Sequence, residues 1–160
     1  MRHARKGLLP VLLILLLAGC ASQPSRDETA LRLHQAAKAN VQLGIAYMRD
    51  GEMEMSLNKF EKAIEQDPEF SLAYANMTIA YYLLDQFLKQ KQHTDQINKF
   101  ADKALLYDAQ SAESLIAKAM YYTQIGEYRL ALPHLEKALE YNPNSHLAIQ
   151  MLADFYARVI

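Results

Sequence analysis

The 160-residue chain contains a single cysteine and no excess of positive charge. One thiol cannot form a disulfide within the chain, so packing must stabilise the fold without cross-links. The 17 lysines and arginines are outnumbered by 18 aspartates and glutamates. This balance argues against a nucleic-acid partner, because proteins that bind nucleic acid use clustered cations to neutralise phosphates.

The sequence also lacks the motifs of common catalytic and cofactor sites. It contains no G-x-S-x-G, P-loop or dinucleotide-binding glycine motif, and none of its five histidines lies in a metal-ligand pattern such as H-E-x-x-H. The histidines are expected at the surface, and Glu61 and Glu65 are interpreted as part of a solvated helix face. We therefore assign no catalytic residue, no cofactor and no metal site, and expect a protein without enzymatic activity.

The first 19 residues have the profile of a secretory signal. Arg2, Arg5 and Lys6 precede an apolar stretch at residues 8–18, and small residues follow it. The stretch is too short for a membrane span, which takes about 20 apolar residues. Removal of residues 1–19 leaves 14 lysines and arginines against 18 aspartates and glutamates, a net charge of −4.

The lone cysteine, Cys20, ends this segment. Residues 17–20, Leu-Ala-Gly-Cys, resemble the lipobox of bacterial lipoproteins. That resemblance implies cleavage before Cys20, attachment of diacylglyceryl and fatty acyl groups to it, and a lipid-anchored protein on the periplasmic face of the outer membrane. The alternative is an ordinary signal peptide with a chance cysteine. Residues 20–25 would form a short tether, because Ser25 followed by Glu28 indicates a helix start near Arg26.

Residue spacing in the rest of the chain indicates internal repeats. Four tyrosines, expected in the core, recur at intervals of 34, 41 and 34 residues: Tyr47, Tyr81, Tyr122 and Tyr156. Three alanines follow the same register: Ala63, Ala104 and Ala138. Apolar residues at helical spacing on both sides of Gly51 and Gly126 predict helix-turn-helix units.

This register resembles the tetratricopeptide repeat (TPR), which has Leu-Gly, Tyr, Ala, Phe, Ala and Pro at set positions over 34 residues. The resemblance implies an all-α TPR superhelix over residues 26–160, of about three and a half repeats, preceded by the lipoprotein signal peptide. The repeats are predicted at 37–70, 71–111, 112–145 and, in part, 146–160. Asn40, Ser56 and Lys118 depart from the pattern.

The second repeat is seven residues longer than its neighbours, and the extra residues fall between Tyr81 and Ala104. Seven helical residues nearly preserve the phase of an apolar face, so the stack can absorb them. We expect a longer solvated turn there in preference to a special binding element.

TPR proteins present residues two, five, nine and twelve of each repeat to a groove, which here predicts a mostly apolar lining. The predicted groove residues are Lys38, Val41, Ile45, Met48, Leu72, Ala75, Ile79, Tyr82, Ile116 and Met120. An open apolar groove would suit an amphipathic helix of a partner. Alternatively, residues 26–36 or the partial fourth repeat cover part of it. We do not expect this groove to capture a C-terminal carboxylate, because it has apolar residues at Val41 and Ile45 and a negative charge at Glu113.

A lipobox followed by TPRs narrows the function further. Residues 39–70 resemble the first repeat of type IV pilus biogenesis lipoproteins of the PilF/PilW kind. Members of that family are outer-membrane pilotins that help the pilus secretin form its ring, so the resemblance implies a non-enzymatic assembly factor with the pilus secretin as partner. The alternative is a periplasmic adaptor that docks cell-wall hydrolases or proteases at the outer membrane.

Overall fold

The computed structural model describes residues 25–159, and of Val159 it describes the backbone alone. Within that range the chain forms seven α-helices and no β-strand, which confirms the all-helical prediction. The helices are α1 (Arg26–Arg49), α2 (Met53–Gln66), α3 (Ser71–Leu88), α4 (Thr94–Tyr107), α5 (Ala112–Gln124), α6 (Tyr128–Tyr141) and α7 (His146–Val159). The predicted signal peptide, Cys20 and most of the tether lie outside the described residues.

The chain divides into two compact units, Met1–Leu31 and Arg32–Ile160. Of the first unit the structure describes residues 25–31, which contain the start of α1. The Oγ atom of Ser25 accepts a hydrogen bond from the backbone N–H of Glu28 at 3.1 Å. This bond satisfies one of the free N–H groups at the helix start, so α1 begins at Arg26 as the sequence predicts.

In the second unit the helices form hairpins joined by tight turns. Gly51 lies between α1 and α2 with φ of 81°, and Gly126 lies between α5 and α6 with φ of 84°. Both are left-handed conformations that glycine adopts without steric cost, which explains the glycine at the same place in two repeats. The first helices α3 and α5 also pack against each other, and α7 packs against α6.

The core is built where small residues let helices approach. In the first hairpin, Ala37 and Val41 of α1 pack with Phe60 and Ala63 of α2, and all four are buried. In the third, Ala119 of α5 packs in one cluster with buried residues of α6 and α7: Ala131, Leu135, Ala138 and Ala148. The alanines with the repeat spacing are therefore the contact points of successive helices.

The seven extra residues of the second repeat lengthen both a helix and a loop. Helix α3 has 18 residues against 13 in α5, and the following loop, residues 89–93, has two residues more than the turn at residues 125–127. Helix α4 has 14 residues, the same length as α6. The insertion therefore extends the end of α3 and leaves the length of the second helix unchanged.

Two of the departures from the repeat pattern have polar partners. The amide of Asn40 donates to Gln66 Oε1 at 2.8 Å, which links α1 to α2. The ammonium of Lys118 donates to Asp102 at 2.6 Å and to Asn98 at 3.0 Å, and lies over the rings of Tyr121 and Tyr122. The third departure, Ser56, is fully buried, and its hydroxyl has no hydrogen-bond partner among residues 25–159.

Some residues lie elsewhere than the sequence predicts. Tyr156 was expected in the core but is 46% exposed, because in the described part of the chain no helix follows α7 to cover it. His34 and His93 were expected at the surface. Each is instead half-buried and pairs with a carboxylate, His34 with Asp67 and His93 with Asp85.

Candidate partner-binding surface

The predicted groove residues all lie on the first helices α1, α3 and α5. Five of them are buried: Val41, Ala75, Ile79, Ile116 and Met120. Four are half-buried, namely Ile45, Met48, Leu72 and Tyr82, and Lys38 is exposed. The surface open to a partner is therefore narrower than the predicted set, and the buried five form the layer beneath it.

That burial follows from how the first helices pack side by side. Ile79 of α3 lies in one apolar cluster with Ile116 and Met120 of α5, and Met48 and Tyr82 pack against the same cluster. Met48 also packs against the cluster around Val41, together with Ile45 and Leu72. These two clusters support the four half-buried residues, and Met48 contacts both clusters. We call the surface formed by Lys38, Ile45, Met48, Leu72 and Tyr82 the first-helix face.

A pocket opens beside Tyr82, where α3, α5, α6 and α7 meet. Its volume is about 40 Å³. Its apolar lining consists of Ala131, Leu135, Met151 and Phe155, of which only Met151 is more than slightly exposed. Its polar lining consists of Tyr82, Thr123, Tyr128, Asp154 and Arg158. Tyr82 and Thr123 both hold predicted groove positions of their repeats and both line the pocket.

The polar groups of the pocket influence one another. Arg158 donates to the hydroxyl of Tyr128 at 3.3 Å, and its guanidinium carbon lies 5.8 Å from the centre of the same ring. Burial raises the pKa of the Tyr82 hydroxyl above its ordinary value of 10.0; the Arg158 cation opposes this rise, and Tyr128 and Asp154 add to it. A phenol, a guanidinium and a carboxylate therefore converge at the rim.

Sequence reasoning missed a buried polar network at the end of α3. The carboxylate of Asp85 is fully buried and accepts from the backbone N–H of His93 at 3.1 Å and from the side-chain amide of Gln124 at 2.7 Å. Its other oxygen lies 2.6 Å from Nδ1 of His93. Lys91 donates to the carbonyl oxygen of Gln124. The network links the inserted loop to the end of α5. The only feature of the sequence that points to this network is a polar residue, Asp85, within an apolar helix face.

Phe87 follows Asp85 by two residues and is 83% exposed.

Among residues 25–159 no group of three or more histidine, cysteine, aspartate or glutamate side chains is arranged to hold a metal ion. No helix in that range is long and apolar enough to span a bilayer.

Comparison with known proteins identifies the repeats. The family model for the tetratricopeptide repeat matches residues 37–70 and 112–145, the ranges of the first and third predicted repeats. The chain is 27% identical over 124 residues to the BBSome complex member BBS4 of Bos taurus, a match that covers 72% of this chain and 22% of that protein. The chain thus spans about a fifth of the length of this curated relative.

Solved TPR domains have a similar fold. The Arabidopsis OM64 TPR domain matches with a TM-score of 0.62 and 16% identity, covering 79% of this chain and 99% of that domain. The first TPR of Spaghetti (RPAP3), bound to the HSP90 peptide SRMEEVD, matches with a TM-score of 0.59 and 18% identity, covering 78% of this chain and 93% of that one. The chain therefore carries tetratricopeptide repeats in an all-helical, TPR-like fold.

Proposed function

We propose that this protein is a non-enzymatic assembly factor that binds a segment of another protein on its first-helix face. The observation that carries the proposal is the apolar character of that face. Ile45, Met48 and Leu72 remain half-exposed although each packs against a buried cluster. Accessible apolar side chains on a supported surface mark interaction sites, and a rigid surface loses little entropy when it binds.

The character of the face indicates the kind of segment it binds. Its one charged residue is Lys38, which is exposed. A partner segment with apolar residues for Ile45, Met48 and Leu72 would complement this surface. A related fold supports a peptide partner, since the TPR of Spaghetti (RPAP3) has been solved with the HSP90 peptide SRMEEVD.

The proposal also specifies where the protein is located in the cell and which protein it binds. The lipobox-like residues 17–20 support attachment of acyl groups to Cys20 and a location on the periplasmic face of the outer membrane. The resemblance of residues 39–70 to type IV pilus biogenesis lipoproteins supports the pilus secretin as partner. The competing function is an adaptor that docks cell-wall hydrolases or proteases at the membrane.

The test is affinity capture of the full chain from solubilised envelopes, followed by mass spectrometry. The variant carries Ile45→Ser and Leu72→Ser, both on the first-helix face. The control carries Leu106→Ser on α4, where the side chain is 76% exposed and lies outside this face. We expect secretin to be enriched by the natural chain and the control and lost with the variant.

Other outcomes of the same experiment decide between the alternatives. Enrichment of hydrolases or proteases, lost with the same variant, would favour the adaptor function. A partner set that is the same for all three proteins would contradict binding on the first-helix face. The melting temperature of each protein shows whether the variant is folded.

A further inference from the structure

The pocket beside Tyr82 includes groove-position residues of three first helices. Tyr82 of α3 and Thr123 of α5 hold the twelfth position of their repeats, and Asp154 of α7 holds the ninth position of the partial fourth repeat. The pocket therefore adjoins the first-helix face at Tyr82 and extends it toward α7. A partner that lies across this face reaches the pocket without leaving the surface.

The interior of the pocket suits a small apolar group. Ala131 and Leu135 are 1% exposed and Phe155 is 7% exposed, so these side chains form a floor that is already dry. A volume of about 40 Å³ exceeds the roughly 10–15 Å³ that one water molecule requires. Water in such a space has few polar partners below it, so an aliphatic side chain would displace it at little cost.

The rim is dipolar and only partly paired. Within residues 25–159 the hydroxyl of Tyr82 and the carboxylate of Asp154 make no hydrogen bond or ion pair. The hydroxyl of Thr123 donates to the carbonyl oxygen of Ala119 at 2.9 Å and can still accept. Arg158 uses one N–H on Tyr128 and has other donors free. One carboxylate and one guanidinium cancel in charge, so the rim attracts neither a lone cation nor a lone anion strongly.

A peptide main chain has the complementary groups. Its N–H can donate to Asp154, and its C=O can accept from Arg158 or from the Tyr82 hydroxyl. These main-chain groups are free in an extended segment and already paired inside a helix. We propose that this pocket binds a leucine-, isoleucine- or valine-like side chain of an extended partner segment, whose main chain lies across the rim formed by Tyr82, Asp154 and Arg158. The inference rests on the proposed function and names the segment that its surface recognises.

The test uses capped amino acids as probes and methyl-labelled methionine as reporter. Met151 lines the pocket, whereas Met55 is an exposed methionine on α2 that does not. The full chain is titrated with N-acetyl-leucine-N′-methylamide and with the glycine, lysine and glutamate analogues. We expect the leucine probe to shift the Met151 methyl signal saturably, with a dissociation constant in the millimolar range that suits so small a ligand, and Met55 to stay in place.

Two rim variants complete the experiment. Asp154→Asn and Arg158→Gln change exposed side chains, so both proteins should fold. We expect each variant to weaken the leucine probe at least threefold. Equal binding of the lysine or glutamate probe, equal shifts at Met55, or no saturable shift at Met151 would overturn the inference.

The affinity-capture experiment separates failure of this inference from failure of the proposed function. If the partner is retained by both rim variants and lost with the Ile45→Ser, Leu72→Ser variant, the pocket inference is wrong and the function stands. If the partner is retained by the rim variants and also by the Ile45→Ser, Leu72→Ser variant, the pocket inference and the proposed function are both wrong. Loss with both rim variants and with the double variant supports both.

Discussion

Phe60 of α2 occupies the space that a side chain on Gly44 of α1 would need. A Cβ atom on residue 44 would lie 2.4 Å from Cε1 and 2.7 Å from Cδ1 of the Phe60 ring. Phe60 is fully buried, so its ring cannot move aside without disturbing the surrounding core. The glycine at position 44 is therefore a condition for this contact of α1 with α2.

The first prediction concerns this contact. Gly44→Ala should destabilise the protein by about 1–3 kcal/mol, because overpacking of a rigid core outweighs the better helix propensity of alanine. Urea denaturation measures the change. Adding Phe60→Leu to Gly44→Ala should restore part of the lost stability, since the smaller side chain vacates the space. If Gly44→Ala is as stable as the natural protein, the two helices are not packed as described.

The second prediction compares two buried serines. In the described part of the chain the hydroxyl of Ser56 has no hydrogen-bond partner, whereas that of Ser114 donates to the carbonyl oxygen of Ala104 at 3.1 Å. Removing an unpaired buried hydroxyl is favourable, so Ser56→Ala should raise stability by about 1 kcal/mol. Ser114→Ala should lower it by about 0.5–1.5 kcal/mol. Both residues are fully buried, which makes each the control of the other. Changes of the same sign in the two variants would contradict this assignment.

The third prediction concerns the buried carboxylate of Asp85. Asp85→Ala leaves the backbone N–H of His93 and the amide of Gln124 without their acceptor, so stability should fall by about 3 kcal/mol. Amide hydrogens of residues 89–93 should exchange faster, because the loop loses its link to α5. The matched control is Phe87→Ser, which changes a solvated side chain two residues away and should stay within about 0.5 kcal/mol. Unchanged exchange in the loop of Asp85→Ala would refute the role of the network.

The fourth prediction concerns alkaline pH. Burial raises the pKa of Tyr74, Tyr81 and Tyr82 above the ordinary value of 10.0. The folded state therefore keeps protons that the unfolded state has released. This contribution to stability is complete below about pH 10 and is lost as the pH rises through the higher folded-state pKa values. Urea denaturation at pH 9 and pH 11 should show the loss, and Tyr82→Phe should make it smaller. A loss that none of the three tyrosine-to-phenylalanine variants reduces would require another cause.

Much of the fold could be predicted because repeated packing requires repeated residues. Alanines such as Ala63 and Ala138 recur where two helices touch, and Gly51 and Gly126 recur where the chain must turn with positive φ. The all-helical fold follows from these local requirements. The insertion was harder to place, since the sequence shows its length but not how five residues enter α3 and two enter the loop.

The surface could be predicted only in part. A repeat position fixes the helix face on which a residue lies, but the packing of neighbouring first helices uses the same face, so Ile79 and Met120 are buried beneath it. Asp85 and Gln124 are 39 residues apart, and their bond depends on where the extended α3 ends beside α5. Tyr128 and Arg158 line the pocket from positions that the repeat pattern does not mark.

The most direct test of the account is photo-crosslinking in living cells from chosen positions on the intact protein. A benzoylphenylalanine replaces Ile45 or Leu72 on the first-helix face, or Leu106 on α4 as the control. The account predicts that positions 45 and 72 crosslink to the same partner protein and that position 106 does not. Products that are the same at all three positions, or none from positions 45 and 72, would contradict it.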